Sequence, residues 1–381
     1  MMKSVLFDLT TSQPSREGKF HGGGEYGKTA FYELCMHYLD RVRLSVCYNP
    51  DRFLDDWLIN LIQEKQIPTY LVHNQAEIME TIDAQKFDTV YNPLMHVHEQ
   101  KSPNATYRYI VTAHGLRFLE KPIDSTAPLY ESSLKDKLRD KIKIMTEERY
   151  RQKQWSKYRE DVFACDDVVM VSMHAMYTVR AAYPDYDPAH IHCFYSPEKH
   201  VEPVEGIDQV QPEQTILMLG GNRWIKNVYR GIMAADGLFS SNLLPGYTVK
   251  VVGGIPKSIE KKIQNKDRFQ DLGYVSPDDL EKAYCACDVF FYPSLNEGFG
   301  YPPHEAMKYG KTCIISAASS LPEIYRDSVY YCNPYDIFEM QNRLLQATEH
   351  KIDTETVVAS YARIAQRQKE DLARLCELII Q

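Results

Sequence analysis

Short apolar runs and amphipathic stretches alternate from one end of this 381-residue chain to the other, and that alternation constrains the fold more than any other feature. In the first half the runs are VLFDL (5–9), VRLSVCY (42–48), PTYLVH (68–73), DTVYN (88–92), YIVTAHG (109–115), DVVMVS (167–172) and HIHCFY (190–195). Helical patterns such as FYELCMHYL (31–39) and FLDDWLINLIQEK (53–65) lie between most of them. Residues 196–214 are polar, rich in Pro, Glu and Gln, and without apolar periodicity, so they read as a linker. The alternation then restarts with TILMLGG (215–221), YTVKVVGG (247–254), FQDLGYV (269–275), DVFFYPS (288–294), KTCIISA (311–317) and VYYCN (329–333). Helical segments at 278–286, 303–310 and 336–350 separate these runs. Strands alternating with helices imply right-handed βαβ units and parallel sheets. The expected class is α/β, with two Rossmann-like, doubly wound parallel-sheet domains facing across a cleft. The expected boundaries are 1–200 and 201–352, followed by a terminal helix over 353–381 that has no Gly or Pro and could cross back to the first domain. In such sheets ligands bind beyond the C-terminal strand ends, so function belongs in the turns that follow strands.

Composition narrows the class. The chain is 44% apolar and 25% charged, which fits globular domains and excludes disorder and collagen-like sequence. No window approaches the ~18 consecutive apolar residues of a spanning helix, and the N-terminal MMKSVLFDLTT lacks the small-residue cleavage site of a secretory signal. Nine cysteines at irregular spacing argue for a reducing compartment. The close pair Cys285 and Cys287 has no second pair at zinc-site spacing. A net charge of −8 makes the molecule a poor nucleic-acid ligand and leaves any anionic ligand to local donors. The 27 tyrosines have no assignment from sequence.

The most informative segment is PSLNEGFGYPPHEAMKYGK (293–311), directly after the run DVFFY. Gly298 and Gly300 allow close backbone approach, Pro302 and Pro303 suit a first helical turn, and Gly310 suits the position past a helix end. Backbone N–H groups near residues 299–304 then make an anion seat of the phosphate kind. Glu297 and Glu305 bracket it, and carboxylates accept hydrogen bonds from hydroxyls. Carboxylate, anion seat and carboxylate in that order suit a ligand with phosphates in the middle and hydroxylated rings at both ends, as in a nucleotide sugar. The competing reading is a capped helix whose acids merely favour its N-terminus. In the turn GGNRWIKN (220–227), Arg223 and Lys226 could neutralise a diphosphate, or be two solvated surface cations.

The stretch EGFGYPPHE, with its two glutamates eight positions apart, resembles the E-x7-E signature of the retaining glycosyltransferases of family four, which have the GT-B fold. The likeness extends to TILMLGGNRWIKN, LGYVSPDDLEKAYCACDVFFYPS and GKTCIISAASSLPEIYRDSVYYCNPYD, and is close over roughly 215–350. The resemblance implies a metal-free transfer of a sugar from a nucleoside-diphosphate sugar to a hydroxyl acceptor. No cofactor is implied, and the acceptor is expected to be a glycan or a lipid-linked glycan in polysaccharide or glycolipid biosynthesis. It implies that Lys226 and Arg223 hold the diphosphate, Glu305 the ribose and Glu297 the sugar. The backbone of Gly298, Phe299 and Gly300 then meets sugar and phosphate, and that of Tyr274 and Val275 meets the base. The attack implied is front-face, with the departing phosphate taking the acceptor proton; Glu297 as a covalent nucleophile is the minority reading. HGGGEYGKTAFYEL (21–34) resembles the glycine-rich loop that opens the first helix in GT-B enzymes, with Gly23 and Gly24 approaching the donor phosphates. His114, directly after YIVTA, resembles a strand-end histidine that faces the transferred sugar, though Gly115 stands where aspartate is frequent. Ser172 would lie on the acceptor side.

Other motifs compete. Gly22–Thr29 satisfies G-x-x-x-x-G-K-[ST], a P-loop pattern that would make the protein an NTPase or kinase. A P-loop follows its strand directly, whereas here about a dozen residues (TTSQPSREGKFH) intervene. A non-catalytic GT-B binding protein and an epimerase of the same fold are further alternatives. His96 with His98, and His190 with His192, are spaced for two metal ligands on a strand, without evident further ligands. Residues 135–159 hold ten basic and four acidic side chains. The default expectation there is a solvated helix with Leu134, Leu138, Ile142 and Met145 as its core stripe; the sharper one is a basic face that meets anionic lipid or an anionic acceptor. The expected location is the cytoplasm, with peripheral contact at the inner membrane face through that segment.

Overall fold

The computed structural model describes residues 2–14, 22–95, 105–199 and 204–381. It divides into two compact units, Met1–Leu116 with Lys153–Val201 and Ala365–Gln381, and Arg117–Gln152 with Glu202–Ile364. The first is built on strands β1 (Lys3–Asp8), β2 (Val42–Tyr48), β3 (Thr69–Leu71), β4 (Thr89–Asn92), β5 (Arg108–Ala113), β6 (Asp167–Met170) and β7 (Ile191–Cys193). They form a seven-stranded sheet in the order β3-β2-β1-β4-β5-β6-β7, every pair parallel. The second holds β8 (Thr215–Leu219), β9 (Thr248–Val252), β10 (Phe269–Gly273), β11 (Val289–Tyr292), β12 (Thr312–Ser316) and β13 (Tyr330–Cys332). Its six-stranded order is β10-β9-β8-β11-β12-β13, again parallel throughout. Both are doubly wound Rossmann-like orders, as the alternation implies.

Helices on both faces explain the unbroken apolar runs. Every residue of β11 (VFFY) and β12 (TCIIS) is buried, whereas the edge strand β10 is not. Helix starts carry local signals. Asn74 accepts from the Glu77 N–H (3.1 Å), Ser276 from the Asp279 N–H (3.1 Å) with Pro277 following, and Asp336 from the N–H groups of Phe338 and Glu339. Ser172 is one of these caps, accepting from the Ala175 N–H at 3.2 Å. That role accounts for the serine without an acceptor.

Residues 117–152, placed in the first domain by the sequence boundary at 200, pack with the second sheet. Asp124 accepts from the Trp224 indole and the Arg230 guanidinium, each at 3.0 Å, and the Tyr130 hydroxyl accepts from the Tyr229 N–H at 2.8 Å. In the 27-residue terminal helix Thr354–Ile380, Arg363 donates to the Ile324 carbonyl of the second unit at 2.9 Å. Further along, Asp371 and Gln368 bond Tyr195 and Ser196 of the first unit. Leu134, Leu138, Ile142 and Met145 do not form a core stripe; all four are exposed on the helix Leu134–Met145. All nine cysteines are free thiols. No helix among the described residues is long and apolar enough to cross a membrane.

Candidate functional site

In a parallel sheet, every turn that follows a strand lies at one edge. The turns after β8, β10, β11 and β12 therefore gather at the carboxyl edge of the second sheet. After β8 the chain makes a tight turn at Trp224–Lys226 and enters the helix Val228–Ser240. Asn227, buried between them at φ +57°, donates to the carbonyls of Pro293 (3.0 Å) and Pro334 (2.7 Å), so this turn is bolted to the turn after β11. Lys226 is thereby held over the β11 turn, where its ammonium donates to Glu297 at 2.7 Å and contacts the Tyr292 hydroxyl. Arg223 is exposed beside it, and its charge reaches both Lys226 and Tyr292.

Glu297 Oε1 accepts from Lys226, from the Tyr292 hydroxyl at 2.7 Å and from Ser294 Oγ. Burial alone would push its carboxyl up. The Lys226 charge and the hydrogen bonds from Lys226, Ser294 and Tyr292 outweigh that and hold it below the usual carboxylate range. Burial pulls the Lys226 ammonium down, Arg223 adds to that, and Glu297 offsets part of it. The site keeps a carboxylate and an ammonium in contact with little water around them.

The loop after Glu297 is fixed from behind. Ser320 Oγ donates to the carbonyls of Glu297 (3.0 Å) and Phe299 (3.3 Å), the Tyr325 hydroxyl donates to that of Gly300, and Ser319 Oγ accepts from the Glu297 N–H at 2.8 Å. With the carbonyls engaged on the inner side, the anion seat is left to N–H donors. Gly300, at φ +91°, caps the helix Tyr301–Lys308. Pro302 and Pro303 have no N–H, and His304 is the first residue of this helix whose N–H falls within the intrahelical ladder behind the Gly300 cap. The seat expected over 299–304 is therefore shorter, with its backbone donors in 298–301.

Glu305 lies on the same helix and accepts from the Tyr284 hydroxyl at 2.7 Å. The two bracketing glutamates thus each rest on a buried tyrosine. Tyr284 packs on Phe290 (centroids 5.4 Å apart), which stacks on Tyr292 (5.8 Å). Burial raises both phenols well above their ordinary values, so they stay neutral donors. Neither tyrosine, nor Ser294, Ser320, Tyr325 or Asn227, stands out in the sequence. The one available signal was the unassigned excess of tyrosine.

The remaining candidates lie on other elements. Tyr274 and Val275 follow the edge strand β10, where Tyr274 is 67% exposed. His114, in the first unit, donates from Nε2 to the Pro93 carbonyl (3.0 Å) and meets the Tyr26 ring edge-on at 4.8 Å, which sets its tautomer. Gly115 adopts φ +119°, a conformation that aspartate would hold only under strain. Gly23 and Gly24 are not in a loop: the first helix begins at Gly22 and includes them in its first turn. The same fact removes the P-loop reading. Lys28 lies inside that helix, buried, paired with Glu25 (2.8 Å) and Asp55 (2.6 Å). His190 and His192 both turn to Asp167, at 3.4 and 2.7 Å, while His96 and His98 lie outside the described residues. Among the described residues no group of three or more His, Cys, Asp or Glu is arranged to hold a metal.

Comparison with known proteins gives this edge a context. Residues 206–368 match the family described as glycosyl transferases group 1. A 146-residue stretch is 29% identical to the serotype-specific mannosyltransferase WbdA of Escherichia coli, covering 36% of this chain and 18% of that protein. A 78-residue stretch is 40% identical to the O-antigen chain mannosyltransferase B of Escherichia coli, covering 20% of each. The chain thus matches well under two thirds of these relatives' length. Among solved structures, HepE of Anabaena in complex with UDP and glucose is similar over 99% of both chains (TM-score 0.66, 16% identity). WaaG, a glycosyltransferase involved in lipopolysaccharide biosynthesis, is similar over 98% of this chain and 99% of its own (TM-score 0.63, 14% identity). The chain has the two-domain GT-B fold of these structures, and its residues 206–368 match the group 1 glycosyltransferase family.

Proposed function

We propose that this protein is a retaining, metal-independent glycosyltransferase of the E-x7-E type. It would move a hexose from a nucleoside-diphosphate sugar to a hydroxyl of a glycan or lipid-linked glycan. The observation that carries the reading is the contact of Lys226 with Glu297 beside the 298–301 N–H groups, at the edge where such sheets bind ligands. The bond between the anomeric carbon and the phosphate oxygen breaks, and the nucleoside diphosphate leaves with the electron pair. The acceptor oxygen bonds to the anomeric carbon on the same face, and its proton passes to the departing phosphate. Fixed N–H dipoles with Lys226 and Arg223 stabilise the growing phosphate charge more in the transition state than in the ground state. Glu305 receives the ribose hydroxyls, Glu297 orients the sugar, and the backbone at Tyr274 and Val275 meets the base. The names of the mannosyltransferase relatives make a mannosyl donor the first to try, and the UDP-bound HepE structure makes a uridine donor the second.

The test is the thermal unfolding of the whole chain with UDP, GDP, ADP and CDP, each with and without Mg²⁺, followed by sugar transfer from the preferred donor. A nucleotide that binds only the native state raises the midpoint, and one of the four should do so without the metal. No shift with any nucleotide, or a shift without transfer to any added glycan acceptor, overturns the reading.

A further inference from the structure

The helix Leu134–Met145 is amphipathic with its apolar side facing out. Leu134, Leu138, Ile142 and Met145 are 84%, 59%, 51% and 85% exposed. At 3.6 residues per turn they fall within about 80° of one another, so they form one stripe along a helix roughly 18 Å long. Single exposed apolar residues need no explanation, but four on one stripe do. Exposed Lys135 and Lys141 flank the stripe on its two sides. The acids of the helix are withdrawn from that face: Asp140 is buried against Lys143, and Asp136 is paired with Arg139 at 2.6 Å. Glu148, exposed one turn on, pairs with Arg151 at 2.8 Å. An apolar stripe with lysines on both margins therefore stands out on a chain of net charge −8.

We infer that this helix lies in the plane of an anionic lipid surface, with the stripe among the acyl chains and the lysines at the headgroups. The charge pattern selects that occupant. Lysine is depleted at protein interfaces, where its charge must be desolvated, whereas at a bilayer its long stem reaches back to water and phosphate. A second copy of this face would set lysine against lysine in an isologous contact. The overall negative charge repels anionic membranes, so attachment depends on this local feature. The inference goes beyond the proposed transfer reaction and does not depend on it.

The test is co-sedimentation of the full chain with vesicles of phosphatidylcholine alone and of phosphatidylcholine with about one third phosphatidylglycerol at ~0.1 M salt. The anionic vesicles should bind at least about tenfold more tightly, since each cation near the surface contributes about fivefold. Leu138→Ser/Ile142→Ser should lower that binding at least about tenfold, and Lys135→Gln/Lys141→Gln should remove most of the preference for anionic lipid. Both variants change exposed positions, so their thermal midpoints should match the wild type. The inference fails if the wild type does not sediment with anionic vesicles, if both vesicle types bind equally, or if Leu138→Ser/Ile142→Ser binds as well as the wild type. It also fails if the helix instead forms a dimer in solution that this variant dissolves.

Discussion

Replacing Lys226 by methionine keeps an aliphatic stem over the β11 turn and removes the charge that compensates Glu297. Removing one member of a buried ion pair costs about 3–5 kcal/mol, because the other charge is left buried alone. The hydroxyls of Tyr292 and Ser294 still donate to Glu297 Oε1, so the low end, about 3 kcal/mol, is expected. With a urea m-value of about 3 kcal/mol/M, that is a midpoint about 1 M lower, followed by the fluorescence of Trp224 in the same turn. The pH dependence adds a sign. In the wild type Glu297 is held below its ordinary value, so it contributes stability that is present above about pH 4.5 and is lost as the pH falls through its lower, folded value. Without Lys226, burial dominates and raises it, so acidification from pH 7.5 to 5 should recover stability in the variant. The gap between the two proteins narrows on acidification. Lys226→Met/Glu297→Gln removes the orphaned charge and should regain about 1–2 kcal/mol of the loss. An unchanged midpoint for Lys226→Met, or a gap that widens toward pH 5, refutes the account.

Glu297→Gln should lower sugar transfer about 10²–10³-fold, as for loss of a polar group that acts in the transition state. Nucleoside-diphosphate affinity by calorimetry should hold or rise, because Lys226 no longer shares its charge with a carboxylate. Tyr284→Phe removes the donor that orients Glu305 and should weaken nucleotide binding about fivefold, the equivalent of one ordinary hydrogen bond, with kcat unchanged. Lys28→Ala breaks a buried pair with Asp55 and should cost about 3 kcal/mol of stability, while the thermal shift produced by the preferred nucleotide stays the same. Loss of that shift in a folded Lys28→Ala protein would restore a nucleotide role for Gly22–Thr29.

The sheets were legible because their strands are buried on both faces. A parallel strand such as VFFY must be apolar at every position, and an unbroken apolar run bounded by turn residues stands out in a sequence. Helix ends marked by Ser276-Pro277 or Asp336 were legible for the same local reason. The first helix was not. Its pattern becomes apolar only at Phe31, while four of the seven residues Gly22–Lys28 are glycines, poor helix formers that hide the start nine residues earlier. Burial explains the inversion of 134–145. Spacing reveals that a stripe exists, and only the packing partner decides which way it faces; here the inner side is taken by Asp140, Ile144 and the salt-bridged charges.

The candidate site divides along the same line. Glu297, Glu305, Lys226 and the glycines could be read because charged residues and glycines directly after strands have few purely structural uses. The groups that set their chemistry could not. Tyr292 is simply the last apolar residue of β11, and Tyr284 an apolar position of the helix Pro277–Ala286, until the sheet brings them under the two carboxylates. A tyrosine satisfies the core with its ring and the site with its hydroxyl, so its second role leaves no trace in an apolar pattern. That dual use gives the 27 tyrosines a partial physical account. Tyr284, Tyr292 and Tyr325 are fully buried, and each places a neutral donor beneath Glu305, Glu297 or the Gly300 carbonyl. A charged donor in those places would need its own counter-charge, and an aliphatic residue would take one hydrogen bond from each acceptor. The acidity of Glu297 and the position of both glutamates therefore depend on the hydrophobic core directly below them.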